Sequence, residues 1–432
     1  MIVTKDMSAA FRPVEDMEAI QKRGLISHLR HCQTASPFYK DQLAAVSITS
    51  AATLTDILDQ LPFTEKDDIA ARNDDFLAVP MPRVADIVVS SGTTGAPTKV
   101  FYTDHDLRRL AYNEEKSFIG CGLSAGDRVL LTCTIDRCFI AGLAYYLGAR
   151  EMGAATIRNG HANMAGHVDI IQRLEPTAIV GVPTFIRKLG QYMLDEGVSP
   201  AGTAVTRMVC IGEPTRNRDM ALTRVGADVE KLWQARTYST YASSETVTTF
   251  CECEAQAGGH LHPDLGIVEI IGESGGRLPP GQVGEVVVTP LGVEGMPLIR
   301  FKTGDISFLL DAPCPCGRRS PRLGPILGRR KHMLKIKGTT VYPQAAFDLL
   351  SSIDGVDEYM LEVTSDTDLS DLLTVRVSLK DDQITAQWLR EKLQARLRVT
   401  PHVDITGRDQ LRSLVFLPQY RKPRRFLDKR NH

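Results

Sequence analysis

Between residues 14 and 45 apolar side chains recur at helical spacing among charges (Ile20, Leu25, Leu29, Leu43), and Ser36-Pro37-Phe38-Tyr39 interrupts the run. Leu61-Pro62-Phe63-Thr64 follows, with Thr64 and Asp67 spaced as a helix N-cap and its partner. Two β-branched runs, 85–89 and 100–103, read as strands joined by a polar loop. From 84 to 240 apolar strand candidates (129–132, 155–157, 178–182, 208–211) alternate with helical spans (141–152, 166–174, 184–196). That alternation predicts an α/β domain with a largely parallel sheet. Residues 265–310 change character: Ile267–Ile271 and Gly284–Thr289 are strands separated by Gly/Pro turns, which predicts a β-rich subdomain over about 251–328. Beyond Gly328, helical patterns at 345–354 and 384–398 flank a strand at 373–379, a compact α+β domain over 329–432.

Length and composition narrow the class. At 432 residues the chain exceeds what one core usually supports, so two or three domains are expected. A 43% hydrophobic share, 24% charged residues and a net charge of −1 describe an ordinary globular protein with no overall pull toward nucleic acid or acidic membranes. No apolar run approaches the roughly 20 residues of a membrane span. Nine cysteines without a signal-peptide pattern predict a reducing, cytoplasmic setting.

The candidate chemistry starts in the loop Ser90-Ser91-Gly92-Thr93-Thr94-Gly95-Ala96-Pro97-Thr98-Lys99. Its hydroxyls and exposed amides form a nest of donors, its glycines allow a tight turn, and Lys99 adds positive charge. Such a loop suits a polyphosphate, and a hydroxyl-rich linker would look similar. Tyr241-Ala242-Ser243-Ser244-Glu245 follows a probable strand; a hydroxyl beside a carboxylate suits Mg²⁺ bridging to phosphate, and a helix-capping pair would look the same. Thr303-Gly304-Asp305 reads as a tight turn presenting Asp305 to ribose hydroxyls. Cys253, His260, Cys314 and Cys316 suit a closed tetrahedral zinc site, with Cys251 and His262 in reserve; reduced surface thiols are the bland alternative.

Taken in order, Ser-Ser-Gly-Thr-Thr-Gly, Tyr-x-x-Ser-Glu, Thr-Gly-Asp and Gly-Arg before a C-terminal domain resemble the adenylate-forming superfamily of acyl-CoA synthetases. The phenylacetate–CoA ligase branch is most alike. Ser36-Pro37-Phe38-Tyr39, Leu61-Pro62-Phe63-Thr64, Val341-Tyr342-Pro343, Leu427-Asp428-Lys429-Arg430 and the Cys-x-Cys-Gly-Arg run at 314–318 extend the likeness over nearly the whole chain. The resemblance implies a large N-terminal α/β domain and a small mobile C-terminal one. It also implies roles. The Ser90–Lys99 loop holds the ATP β- and γ-phosphates. Gly212-Glu213-Pro214 contacts adenine, with Tyr241 stacking on the base, and Ala242 and Ser243 border the acyl pocket. Ser244 and Glu245 handle phosphate and Mg²⁺. Asp305 binds ribose, Arg329 a ribose or phosphate oxygen, and Lys331 is the hinge. Lys422 bridges the carboxylate and the α-phosphate during adenylation. The zinc site, which some members of the branch carry, pins the β-subdomain.

The chain departs from the branch's pattern at Ala242, usually glycine; Lys302, usually arginine; Arg421, usually glycine; and Lys331, often aspartate. The reading implied is an ATP-dependent carboxylate–CoA ligase acting on an aromatic or otherwise compact, apolar acid through an acyl-adenylate. Its partners are then the acid, ATP and coenzyme A, with a homodimer suggested by analogy. Two alternatives remain: an adenylating enzyme serving an amine or carrier thiol, and a nucleotide-binding relative without turnover.

Overall fold

Helices come first: α1 (Val14–Ala35), α2 (Pro37–Gln42), α3 (Leu54–Asp59) and α4 (Lys66–Arg72). The computed structural model describes residues 5–44, 46, 52–90, 98–160, 163–336, 339–367, 370–381, 383–417 and 423–430. α1 turns Leu25, Leu29 and Cys32 into a core that also takes Phe38, Tyr39 and Phe76. Phe38 stacks on Phe76 at 4.1 Å, and Tyr39 meets both rings edge-on, geometries the aromatic quadrupole favours. The expected cap of α4 is displaced by one residue. Glu65, not Thr64, occupies the N-cap, and its N–H donates to Asp68 (2.7 Å). Thr64 is taken elsewhere, as a bridge to Phe301.

An antiparallel pair follows, β1 (Val84–Val89) and β2 (Lys99–Thr103), with Val89 opposite Lys99. Then come α5 (Asp104–Gly120), β3 (Arg128–Leu131), α6 (Ile140–Met152), β4 (Ala155–Arg158), α7 (Met164–Leu174), β5 (Ala178–Gly181), α8 (Pro183–Asp195), β6 (Arg207–Ile211), α9 (Arg224–Trp233), β7 (Arg236–Ser243) and β8 (Thr248–Cys251). The strands form one sheet in the order β4-β3-β5-β6-β7-β8. It is parallel except for β8, which returns antiparallel along β7. β5 is buried at every position and β6 at all but its first, as expected of strands covered on both faces, while edge strand β4 is partly open. β8 is also an edge, and Asn113 of α5 engages the backbone N–H and carbonyl of its Thr249 (3.2 and 3.0 Å), which occupies groups that would otherwise template aggregation.

The β-rich region holds β9 (Gly259–His260), β10 (Gly266–Ile271), β11 (Gly284–Pro290), β12 (Phe301–Ser307), β13 (Leu309–Leu310), β14 (Arg322–Leu323) and β15 (Gly328–Arg329). β10-β11-β12-β15 are neighbours in one sheet and β13-β14-β9 in another. Thr303-Gly304-Asp305 is not the tight turn expected. It lies inside β12, where Asp305 pairs across to Arg329 and the Thr303 hydroxyl donates to the Val286 carbonyl (2.8 Å). Gly304 keeps a turn-like φ of +76° within that strand, which a glycine tolerates.

The chain divides into two compact units: residues 1–222, 226–303 and 307–326, and residues 223–225, 304–306 and 327–432. The second contains the hairpin β16 (Leu334–Ile336) and β17 (Thr339–Val341), then α10 (Pro343–Ser351), β18 (Val356–Thr367), β19 (Ser370–Leu379), α11 (Ala386–Leu397), β20 (His402–Ile405), α12 (Arg408–Val415) and β21 (Phe426–Asp428). Its sheet runs β20-β19-β18-β21 over a core of Leu361, Val363, Val375, Val377, Leu389 and Leu393.

Candidate functional site

The phosphate loop starts from a pinned base. Ser90 N–H donates to the Thr98 carbonyl (2.9 Å), and the two side-chain oxygens lie 2.7 Å apart. Ser91, Gly92, Thr93, Thr94 and Gly95 lie outside the described residues. Lys99 opens β2 in the open, its ammonium 2.5 Å from Asp74 and its backbone bonded to both ends of the Asn73 amide. An exposed pair of this kind is weak, so Lys99 can exchange it for another anion.

Parallel strands β5 and β6 bring the next residues to their carboxyl ends, where ligands of open α/β sheets bind. Gly212 follows β6 with φ +76°, the left-handed conformation that glycine permits. Glu213 is gripped by the start of α8: Thr184 Oγ1 donates to Oε1 (2.9 Å) and Thr184 N–H to Oε2 (3.2 Å). An anion at a helix N-terminus is favoured there. The sequence reading singled out Glu213 and Pro214 but missed Thr184, which Pro183 at the first helical position could have signalled.

Tyr241, Ala242 and Ser243 end β7, and the turn 244–247 leads to β8, so the Ser-Glu pair sits in a turn and not at a helix start. Tyr241 stacks on Phe250, centroids 6.2 Å apart and planes 13° from parallel. Ser243 Oγ donates to Glu245 Oε2 (2.8 Å), and the Ser244 carbonyl accepts from Tyr102 Oη (2.6 Å). Arg109 of α5 secures the turn from below. Fully buried, its guanidinium donates to the carbonyls of Val247, Leu265 and Leu291 and to Thr248 Oγ1. Burial lowers Arg109 to about 10, still charged at neutral pH. The turn's two anchors, Tyr102 and Arg109, carry no motif and were missed.

In the smaller unit Asp305 faces Arg329 across the β12–β15 pair, Arg329 Nε 3.2 Å from Asp305 Oδ1. Lys331 is exposed, and its carbonyl accepts from Arg430 (3.1 Å). Lys422 lies outside the described residues.

Cys253, His260, Cys314 and Cys316 come together, their ligand atoms all within 4.8 Å of one another. Cys253 Sγ is 3.6 Å from Cys314 Sγ, and Cys316 Sγ 3.4 Å from His260 Nε2. A tetrahedral zinc ion with S and N ligands has edges of about 3.6–3.8 Å, so the donor set fits. His260 Nδ1 is buried without a partner, and burial, then Arg318 and Arg322, hold the ring neutral, near 3. Burial pushes the Cys253 thiol up to about 12. Burial acts in the same sense on Cys316, but backbone and side-chain bonds to Arg318 outweigh it and bring that thiol down. Reserve residue Cys251 lies outside the cluster, 3.4 Å from Cys121 Sγ and accepting from Thr240 Oγ1. Reserve His262 is buried with both ring nitrogens unpartnered and also lies outside the set of four.

With this geometry established, residues 20–293 match the model of the AMP-binding enzyme family. The chain belongs to that family. It is 30% identical to a phenylacetate–coenzyme A ligase of Thermus thermophilus, over 95% of each chain. A phenylacetate–coenzyme A ligase of Aromatoleum evansii is 30% identical over 85% of this chain and 83% of the relative. These likenesses place this AMP-binding enzyme in the phenylacetate–CoA ligase branch. In fold it resembles a 2-hydroxyisobutyryl-CoA ligase crystallised with an acyl-adenylate, at TM-score 0.85 and 20% identity over 99% of this chain and 94% of the other.

Proposed function

We propose that this chain is an ATP-dependent carboxylate–CoA ligase. Its carboxylate substrate attacks the α-phosphate of ATP to give an acyl-adenylate and pyrophosphate, and the coenzyme A thiol then displaces AMP to form the thioester. The likeness to the Thermus phenylacetate–CoA ligase across 95% of both chains carries this reading. The acid we assign is aromatic and phenylacetate-like, in keeping with the names of that relative and its fellows.

Each site residue then has a task. The Ser90–Lys99 loop cradles the β- and γ-phosphates. Gly212, Glu213 and Pro214 line the adenine, Tyr241 stacks on it, and Ala242 with Ser243 borders the acyl group. Asp305 holds the ribose hydroxyls and Arg329 a neighbouring oxygen. Ser244 and Glu245 would hold phosphate and Mg²⁺, and the ion, when bound, would supply positive charge facing the pyrophosphate. Lys422 brings a cation to two anions that must meet, which matters most where charge develops. Lys331 is the hinge about which the C-terminal unit moves between half-reactions. Cys253, His260, Cys314 and Cys316 hold a structural zinc ion.

A panel of aromatic and aliphatic acids in a pyrophosphate-release assay, with and without coenzyme A, tests the reading. Arylacetic acids should release pyrophosphate, and adding coenzyme A should yield thioester and AMP in equal amounts. Acid-dependent pyrophosphate release with no thioester at any coenzyme A concentration would overturn the assigned acceptor; no release with any acid would overturn the ligase reading itself.

A further inference from the structure

A heavily braced stretch of backbone lies just ahead of Asp305. Ile299 N–H donates to Tyr39 Oη (2.9 Å), and the Ile299 carbonyl accepts from Thr64 Oγ1 (2.7 Å). The two hydroxyl oxygens are 2.7 Å apart. Since Thr64 spends its proton on the carbonyl, Tyr39 must donate to Thr64, and the ring closes with one proton per link. Tyr39 and Thr64 are 0% and 1% exposed, so no water competes.

Arg300 comes next with φ +41°, a left-handed backbone that a non-glycine residue adopts only when its surroundings over-determine it. Here they do. Arg300 N–H donates to Thr289 Oγ1 (3.0 Å), and its carbonyl accepts from Thr64 N–H (3.2 Å). The guanidinium forks onto Glu269, with Nε to Oε2 and Nη2 to Oε1 both 3.0 Å, and Nη1 reaches the Leu58 and Leu61 carbonyls at 2.9 Å each. Phe63 lies 4.1 Å beneath it. The Thr64 carbonyl then accepts from Lys302 N–H (2.9 Å). Thr64 alone thus holds residues 299, 300 and 302 through its hydroxyl, N–H and carbonyl.

A buried ion pair contributes little stability beyond what apolar side chains of equal volume would give, so stability alone is a poor reason for this arrangement. Such a pair can, however, define the course of a chain, and β12, which begins at this kink, carries Asp305. We propose that Tyr39, Thr64 and Arg300 are positioning residues that set how Asp305 presents its carboxylate to the nucleotide ribose. This inference rests on the ligase reading above and on Asp305 as the ribose ligand.

The test measures ribose selectivity, which a loss of stability alone does not move. The ratio of kcat/KM for ATP over 2′-deoxyATP and 3′-deoxyATP is taken from acid-dependent pyrophosphate release by the full chain, with Asp305→Ala marking the floor. Thr64→Val and Tyr39→Phe each remove one hydroxyl without opening a large cavity. Each should lower the ratio by about tenfold, the size of one hydrogen bond to a charged group, with the KM for the acid unchanged. Thr64→Ser, which keeps the hydroxyl, should keep the ratio. A folded Thr64→Val or Tyr39→Phe variant with the wild-type ratio would overturn the proposal. So would a wild-type enzyme that treats ribose and deoxyribose alike, because Asp305 would then read no hydroxyl. Absence of acid-dependent turnover in the wild type would instead strike the ligase reading, and this proposal with it.

Discussion

A fully buried carboxyl group with one hydroxyl for company holds its proton to a higher pH than an exposed one. Glu114 of α5 is in that position: Oε1 accepts from Thr249 Oγ1, Oε2 has no partner, and burial pushes the group up to about 8 from an ordinary 4.5. Between those two values the folded chain holds a proton that the unfolded chain has released. The stabilisation is therefore full below pH 4.5, declines as pH rises, and is gone above 8, at about 1.4 kcal/mol per pH unit. Glu114→Gln removes this titration, so its melting temperature, followed by calorimetry from pH 6.5 to 8.5, should fall less steeply than the wild type's. Nothing in the sequence marks Glu114, because its burial follows from the packing of α5 on α6, where Gly148 faces it with no room for a β-carbon. Thr64 teaches the same lesson. Its spacing to Asp67 reads as a cap, yet the carbonyl of Ile299, more than two hundred residues away, claims its hydroxyl.

At the scale of elements, the segment 314–320 shows what the proposed zinc site would add to a loop. Gly317 N–H closes a turn onto the Cys314 carbonyl (2.9 Å), with Gly317 at φ +86°. Arg318 donates to Cys316 Sγ (3.4 Å) and lies 4.9 Å over the Phe11 ring, while Arg319 and Ser320 donate to the Ala10 carbonyl (2.7 and 3.2 Å). The loop that carries two of the candidate thiol ligands therefore also clasps residues 10 and 11. Cys316→Ser should abolish zinc, read by elemental analysis of the purified protein, and hydrogen exchange should rise in both 314–320 and 9–12. Unchanged protection after metal loss would show that the clasp stands without the ion. Cys-x-Cys-Gly spacing was visible in the sequence, and so was the candidate set of four. Their approach to within 4.8 Å of one another, and the Ala10–Phe11 partners, needed β9 and β14 paired side by side.

At the scale of the whole molecule, two compact units match a reaction with two steps and different needs in each. If Lys422 serves adenylation alone, Lys422→Ala should slow pyrophosphate release by about a hundredfold or more, the size of losing one electrostatic stabiliser of the transition state. Thioester formation from a supplied acyl-adenylate should change little, and rapid-quench measurement of each half-reaction separates the two. Equal losses in both would remove Lys422 from the adenylation step. The alternation of helices and strands from 84 to 240 was readable because both periods are written locally. β20 and β21 were not, since β20 pairs with β19 and β21 with β18, each across an intervening stretch of helix.

Local pattern alone determined the α/β class, the run of core strands, the order of the motifs and hence the family, because spacing and residue type are properties of neighbours along the chain. Tertiary structure decided that Thr64 braces a distant strand, that Asp305 stands within β12 opposite Arg329, that Glu213 is gripped by Thr184, and that four scattered Cys and His side chains converge. Those outcomes depend on which buried donors and acceptors find one another once water is excluded, and that is settled only when the whole chain has packed.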